Sequence, residues 1–366
     1  MADTKTITIT LTEECNLNCV YCYESNKKNR KIDIDLAKSI IDAELNDINV
    51  DTVILEFFGG EPFLAFEEMK VLTEYVFSKE WPVKVVCSTC TNGTLVHGAI
   101  QEWLVENKGK LSVGLSMDGN REMHNINRSN SFDRIDIDFF VRYSPNSTVK
   151  MTISPNTLKT LADGVIFLHE KGFNVACNLA YGIDWASTEN LSILKRELEK
   201  LIAYYLEHPK VNPCSMLSMS MEHISKEEIA TVPKYCGCGT HMKAYDLDGN
   251  GYPCQFFLPL SIDEVKSEEM QSIKILQDIP VEKLGDKCIG CPFVKICPMC
   301  IGSNFKESND LYMRNENYCK YIRTMILANS FFRWKQIKNS ALKMSDERLK
   351  RTLEGIVVAQ EFLKDY

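Results

Sequence analysis

The chain has no apolar run of about 18 residues, the least that spans a bilayer as a helix, and its start, Met1-Ala2-Asp3-Thr4-Lys5, lacks the apolar stretch of a secretory signal. A membrane-spanning helix and a secretory signal are not expected, and the cytoplasm is the expected compartment. Positive charge is also short: 42 Lys and Arg stand against 50 Asp and Glu, a net charge of −8. General binding to nucleic acid, which depends on cations neutralising phosphates, is not expected of such a chain. The stretch from Lys320 onward departs from this balance, with ten basic and five acidic residues. A solvated helix surface explains it, with an acidic peptide partner as the alternative. No internal repeat or low-complexity segment is present.

What the chain does have is cysteine, fifteen in 366 residues. Intracellular thiols are kept reduced, so these are metal ligands or redox groups before they are disulfides. A hydrophobic content of 45% over this length supports one large α/β unit and a smaller module.

Alternating or apolar strands are predicted at Thr6–Leu11, Val53–Phe58, Val83–Cys87, Leu111–Ser116, Thr148–Ile153 and Asn174–Leu179. Helical patterns separate them, the clearest being Leu158, Leu161, Ala162, Val165 and Leu168 at i, i+3, i+4, i+7 spacing. A second stripe, Leu191, Leu194, Leu198, Leu201, Ile202 and Tyr205, predicts a long helix leading out of this unit. Six strands alternating with helices imply parallel βα units, whose sheet stays open or curls into a full or partial barrel. In either case ligands gather at the carboxyl ends of the strands. Four suggestive loops follow the first four strands there: Cys15 to Cys22, Gly59-Gly60-Glu61-Pro62, Thr91-Asn92-Gly93 and Ser116-Met117-Asp118-Gly119.

The first loop reads Cys15-Asn-Leu-Asn-Cys19-Val-Tyr-Cys22. Three thiolates hold a [4Fe-4S] cube by three of its irons, and no fourth cysteine lies within the loop, so one iron is left open. Structural zinc, the alternative for such thiols, prefers four closed ligands. In the second loop, two glycines let backbone approach a ligand and Glu61 offers a carboxylate to an ammonium group.

In order and spacing these four loops resemble the radical SAM superfamily. The resemblance implies that Cys15, Cys19 and Cys22 carry a cluster that binds S-adenosylmethionine (SAM). It further implies a SAM site of Gly59, Gly60, Glu61, Pro62 and Asn92, with Tyr21 against the adenine and Ser116 and Asp118 near the ribose and carboxylate. Arg128 and Arg134 are both candidates for the basic residue that completes the carboxylate site.

Farther on, Cys236, Cys238, Gly249, Cys254, Cys288, Cys291, Cys297, Cys300 and Cys319 resemble the SPASM extension. By that resemblance Cys288, Cys291, Cys297 and Cys319 hold one auxiliary [4Fe-4S] cluster (auxiliary II), while Cys254 and Cys300 with Cys238 and Cys236 hold another (auxiliary I). Two departures stand out. Cys297 and Cys300 are separated by two residues where the family pattern has three. Cys236 and Cys238 reach one cluster only if Gly237 allows a tight turn, and if one alone binds, that cluster has an open iron. Zinc knuckles are the alternative for these cysteines.

The fold implied is α/β: a partial (β/α)6 radical SAM barrel, then a small Cys-rich SPASM domain and C-terminal helices. Residues 1–185 are the expected core, 186–232 a helical bridge, 233–322 the auxiliary iron–sulfur domain and 323–366 the terminal helices. The cofactors implied are SAM and [4Fe-4S] clusters, one binding SAM and two auxiliary. SPASM enzymes mostly act on peptides or proteins, so the resemblance implies an oxidoreductase that cleaves SAM reductively and abstracts hydrogen from a peptide.

Anaerobic sulfatase maturases carry an aspartate base after the cysteine of G-x4-C; this chain has Gln255, and an amide cannot act as a general base. A thioether or other crosslink in a ribosomally made peptide is therefore the expected product, with formylglycine formation and epimerisation as alternatives. Epimerisation needs a cysteine that donates hydrogen, from among Cys87, Cys90, Cys177 and Cys214, although free cysteine is commonly a small buried hydrophobe. His241 is either a proton-transfer group or a surface residue. A plain iron–sulfur electron carrier would leave Gly59 to Pro62 and Ser116 to Gly119 unexplained. Expected partners are the peptide or protein substrate and an electron donor of flavodoxin or ferredoxin type. With the cluster loop starting at Cys15 there is no room for a leader-binding domain before it, so the C-terminal parts or a separate leader-binding protein must grip the peptide.

Overall fold

The computed structural model describes residues 3–46, 50–339, 342 and 344–364. Among the described residues ten strands form: β1 (Thr4–Thr12), β2 (Thr52–Gly59), β3 (Lys84–Thr91), β4 (Leu111–Leu115), β5 (Thr148–Ile153), β6 (Asn174–Leu179), β7 (Thr231–Pro233), β8 (Met242–Tyr245), β9 (Gly251–Tyr252) and β10 (Asp278–Pro280). The α-helices are α1 (Ile34–Asn46), α2 (Phe66–Phe77), α3 (Ala99–Glu106), α4 (Arg121–Asn127), α5 (Ile137–Tyr143), α6 (Leu161–Glu170), α7 (Thr188–Glu207), α8 (Glu264–Met270), α9 (Ile301–Ser308), α10 (Glu316–Lys338) and α11 (Asp346–Phe362). All six strands and both helices read from periodicity are present.

Two compact units result, one of Met1–Met117, Asn127–Ser147 and Cys236–Ile275, the other of Asp118–Ile126, Thr148–Tyr235 and Leu276–Tyr366. The first is built on a sheet of order β4-β3-β2-β1-β8-β9. Neighbours from β4 to β8 run parallel, and only the β8–β9 hairpin is antiparallel. Alternation decides which residues fill the core. Ile7, Ile9 and Leu11 of β1 and Val53, Leu55 and Phe57 of β2 are fully buried, as are Ile41 and Leu45 of α1 and Met69 and Leu72 of α2. Each such side chain contributes about 1.5–3 kcal/mol of burial. The other face of β1 carries Thr8, Thr10 and Thr12, also buried, and Thr8 Oγ1 donates to Glu56 Oε2 at 2.9 Å. A strand covered on both faces in this way belongs to a parallel sheet with layers on either side.

β8 comes from the cysteine-rich stretch and continues the sheet on the far side of β1, Thr6 standing opposite Met242 and Ile9 opposite Tyr245. Glu44 of α1 secures it, accepting from Lys243 Nζ at 2.7 Å, from Lys5 Nζ at 2.9 Å and from the Tyr245 hydroxyl.

In the second unit β5 and β6 pair in parallel, Thr148 opposite Asn174, and β7 pairs antiparallel with β10. α7 starts at Ser187, whose hydroxyl accepts from Asn190 N, and buries Leu194, Leu198, Leu201, Ile202 and Tyr205. The fold is thus α/β and dominated by parallel pairing.

Candidate functional site

β1 to β4 end along one edge of the larger sheet, so the loops that follow them meet there. Gly60 N donates to Thr12 O at 3.1 Å and Glu61 N to Glu14 O at 2.9 Å, laying the β2 loop against the residues that lead into Cys15. A Cβ on Gly59 would stand 2.2 Å from Thr12 O; one on Gly60 would stand 2.4 Å from Glu14 O and 2.9 Å from Cys15 Cβ. The two glycines are there because backbone passes too close for any side chain.

Glu61 is 1% exposed and knots three loops. Its carboxylate accepts from Thr91 Oγ1 at 2.6 Å, Asn92 N at 2.8 Å and Phe63 N at 3.2 Å. Burial pushes its pKa up, against these hydrogen bonds and the charge of Arg128. Three of about four acceptor positions on the carboxylate are thus used within the chain. Asn92 is equally engaged: its amide donates to Asn16 Oδ1 at 2.8 Å and its oxygen accepts from Thr94 N and Thr94 Oγ1. Asn16 in turn donates to Thr94 Oγ1 at 2.8 Å, which locks the interior of the cysteine loop to the β3 loop. Pro62 is buried, and Ser116 N donates to Thr91 O at 2.8 Å.

The cysteine loop is held from two further sides. Val20 N donates to Asn127 O and Asn18 N to Ser129 Oγ. Asn26 reaches the carbonyls of Pro259 and Ile262, and Tyr23 stacks on Phe256 at 4.3 Å. Arg128, 7% exposed, places its guanidinium 5.6 Å from the Tyr21 ring centroid. Arg134 is exposed at the surface, its carbonyl bonded to His97. Of the two arginines, only Arg128 is buried next to Tyr21 and Glu61. Asp118 belongs to the second unit, where it is fully buried and its Oδ1 accepts from Thr152 N at 2.9 Å.

Burial raises the pKa of Cys15 to about 11 and that of Cys22 as well. Lys27, which burial alone would pull down, is pushed up by Cys22, Cys15, Glu24 and Cys19 around it. Glu24, nine-tenths buried beside these groups, is raised to about 8 by burial. Lys27, Glu24, Asn16 and Thr94 were not singled out from sequence; Lys27 and Glu24 follow Cys22 so closely that proximity was the available signal.

The donor set fits an iron–sulfur cube: three thiols in one loop with the cation of Lys27 beside them. Among the described residues no three His, Cys, Asp or Glu side chains are arranged to hold a single ion. A cube takes each thiolate on a different iron, so its ligands ring a volume instead of converging on a point.

The remaining cysteines fall into two sets. In the first unit the Cys254 thiol lies against Cys238, whose hydrogen bond, ahead of burial, raises it far above its usual range. Gly237 does turn tightly, its carbonyl accepting from the amides of Thr240, His241 and Met242, yet Cys238 is buried and Cys236 exposed. In the second unit Cys288, Cys291, Cys297 and Cys319 sit as one group, each of the first three sensing Cys319 and the Arg314 charge after burial. Cys300 starts α9, its Sγ accepting from Ser303 N at 3.4 Å.

Residues 6–132 match the family model of a 4Fe-4S single cluster domain. A cysteine-type anaerobic sulfatase-maturating enzyme of Clostridium perfringens is 25% identical over 321 residues, 77% of this chain and 84% of the relative. An uncharacterised protein of Methanocaldococcus jannaschii is 31% identical over 201 residues, an alignment that spans 55% of this chain and 59% of that relative. Among solved structures, native anSMEcpe with bound AdoMet and a Kp18Cys peptide superposes with a TM-score of 0.68, covering 92% of this chain and 99% of that one. At 20% identity this last likeness concerns the fold.

The chain is a homologue of the radical SAM maturases. Cys87, Cys177 and Cys214 are buried and Cys90 is half-buried, 3.2 Å from Ser116 Oγ. His241 faces solvent, with Nε2 3.1 Å from Asp3 Oδ1. No described helix is long and apolar enough to cross a membrane. The second unit holds two cavities, of about 320 and 380 Å3, both lined by Leu179, Tyr181, Met299, Cys300, Tyr318 and Tyr321.

Proposed function

We propose that this chain is a peptide maturase that splits SAM reductively and abstracts hydrogen from a ribosomally made peptide to form a thioether or other crosslink. The observation that carries the reading is the three-thiol loop pinned against the Gly59-Gly60-Glu61 turn, which leaves one corner of a cube for a small ligand. When bound, the cluster and SAM supply a carbon radical able to attack an unactivated C–H bond.

The chain's own residues bind, orient and keep the site dry. Arg128 is the better candidate for the SAM carboxylate, being a buried cation, while Arg134 is exposed. Tyr21, beneath that guanidinium, offers a face to the adenine. The free position on Glu61 is available to the ammonium group, and the other three fix its orientation. Asn92 holds the cysteine loop in register. Asp118 is fixed by the bond it accepts from Thr152 N, which supports a positioning role.

Cys288, Cys291, Cys297 and Cys319 are proposed to hold auxiliary cluster II, and Cys238 and Cys254 to be ligands of auxiliary cluster I. The exposure of Cys236 favours an open iron there. The cavities of the second unit are of a size that takes a side chain or small group. Native anSMEcpe with bound AdoMet and a Kp18Cys peptide shares this fold, which supports a peptide as the occupant. An electron donor of flavodoxin or ferredoxin type and a separate leader-binding protein complete the expected set of partners.

Gln255 supports crosslinking over formylglycine formation. It follows Cys254 directly, its Oε1 is buried without a hydrogen-bond partner, and it cannot take a proton as a carboxylate would. A second reading, formylglycine formation, is favoured by the sulfatase-maturating relative. Anaerobic incubation of reduced, reconstituted protein with SAM and short peptides encoded beside its gene, read by mass spectrometry, separates the two. Loss of a hydrogen pair with a new crosslinked fragment supports crosslinking. Conversion of a sulfatase-motif Cys or Ser to an aldehyde, with no crosslink in any neighbouring peptide, supports the second reading instead.

A further inference from the structure

Arg314 lies in the segment between α9 and α10 and is 9% exposed. Its backbone N donates to Leu284 O at 3.0 Å, and one terminal nitrogen donates to the carbonyls of Cys297 at 3.2 Å and Val294 at 3.4 Å. These bonds fix the guanidinium inside the loops that carry Cys288, Cys291 and Cys297. They leave Nε buried with no hydrogen-bond partner. A buried guanidinium donor without an acceptor is costly, and the planar fork of arginine cannot turn it away while the terminal nitrogen keeps both carbonyls. The guanidinium is held at the carbonyl of Cys297 itself, among the loops that carry the thiols of Cys288 and Cys291. Arg323 is a second cation near Cys291.

We infer that Arg314 is the buried counter-charge of an iron–sulfur cluster on Cys288, Cys291, Cys297 and Cys319, with Nε kept as a donor to the cluster's sulfur, and that it holds the reduction potential of that cluster up. This rests on the assignment of those four cysteines to auxiliary cluster II. A cube on four thiolates is an anion that becomes more negative on reduction. A fixed cation and a hydrogen bond at its sulfur therefore favour the reduced form, the two levers by which protein surroundings set such potentials. Arg314 is a positioning and tuning residue in this account and touches no substrate.

The test uses the full chain with Cys15, Cys19 and Cys22 replaced by alanine, so that the auxiliary clusters alone are read, reconstituted anaerobically and titrated with EPR detection. Arg314→Gln is expected to shift one wave to lower potential, at least tenfold in the reduced-to-oxidised ratio, about 59 mV for one electron. Arg314→Lys, which keeps the charge, is expected to restore most of it. Should Arg314→Gln shed that cluster's iron while Arg314→Lys retains it at the parent potential, the counter-charge role stands. Unmoved potentials with full iron in the glutamine variant overturn it, and so does equal iron loss in both variants, which would make Arg314 a scaffold residue. Absence of any auxiliary signal in the parent protein would instead remove the cluster assignment itself.

Discussion

Replacing Gly60 with alanine tests the pinning of the cysteine loop through a single methyl group. The new Cβ would stand 2.4 Å from Glu14 O and 2.9 Å from Cys15 Cβ, with backbone on one side and a proposed ligand on the other. Ordinary contact requires a separation of roughly 1 Å more, so Glu14 and Cys15 must move away by about that much. The movement strains Gly60 N to Thr12 O and Glu61 N to Glu14 O, each worth about 1 kcal/mol, for a loss of about 2 kcal/mol before steric strain is added. A metal ligand tolerates about 0.2 Å of displacement, so the larger effect falls on cluster binding. Iron and sulfide are counted on anaerobically reconstituted protein and compared with Gly114→Ala, whose Cβ meets nothing closer than Cys90 Sγ at 3.6 Å. Gly60→Ala is expected to lose one cube per chain and most SAM cleavage, with the auxiliary signals intact, while Gly114→Ala keeps both. Full iron and undiminished cleavage in Gly60→Ala would refute the close approach on which the site rests.

Three further outcomes are expected. Arg128→Met should raise the KM for SAM about tenfold or more, the worth of a buried charge-assisted bond, while Arg134→Met leaves it unchanged; steady-state kinetics of 5′-deoxyadenosine release checks both. Glu61→Gln places an amide where three donors converge, and the resulting mismatch should cost about 1–3 kcal/mol, read as a fall in melting temperature together with iron loss. Glu44, although burial raises its pKa, is brought down to about 2 by Lys243, Tyr245 and Lys5, from 4.5. A carboxylate depressed in the folded state stabilises above its unfolded pKa, and that contribution fades as pH falls from 4.5 toward 2; Glu44→Gln should flatten the acid limb of a pH–stability curve in that window.

The strands β1 to β6 were legible because each is five to nine residues of alternating or apolar sequence bounded by turn residues. β8 and β9 were not, since four and two residues carry no period, and nothing in Met242 to Tyr245 announces a place beside β1. Motif spacing identified the cysteine loop and the glycine turn but not what Glu61 and Asn92 do locally. Read as ligand contacts, both spend most of their hydrogen bonds holding loops together, and their partners Asn16, Thr91 and Thr94 become visible only in three dimensions. The choice between Arg128 and Arg134 is likewise one of burial, which two arginines in a loop do not reveal. Arg314 gave no signal at all: one arginine in a cysteine-rich stretch gains meaning only once its Nε is seen buried without an acceptor while its terminal nitrogen holds the Cys297 carbonyl.

The most direct measurement is the yield of 5′-deoxyadenosine when reduced, reconstituted protein meets SAM without peptide, set beside the yield from the variant in which Cys15, Cys19 and Cys22 are alanine. The account requires release by the native chain and none above background from the variant, with auxiliary clusters still present. Equal yields from the two proteins, or none from either at full iron content, would contradict it.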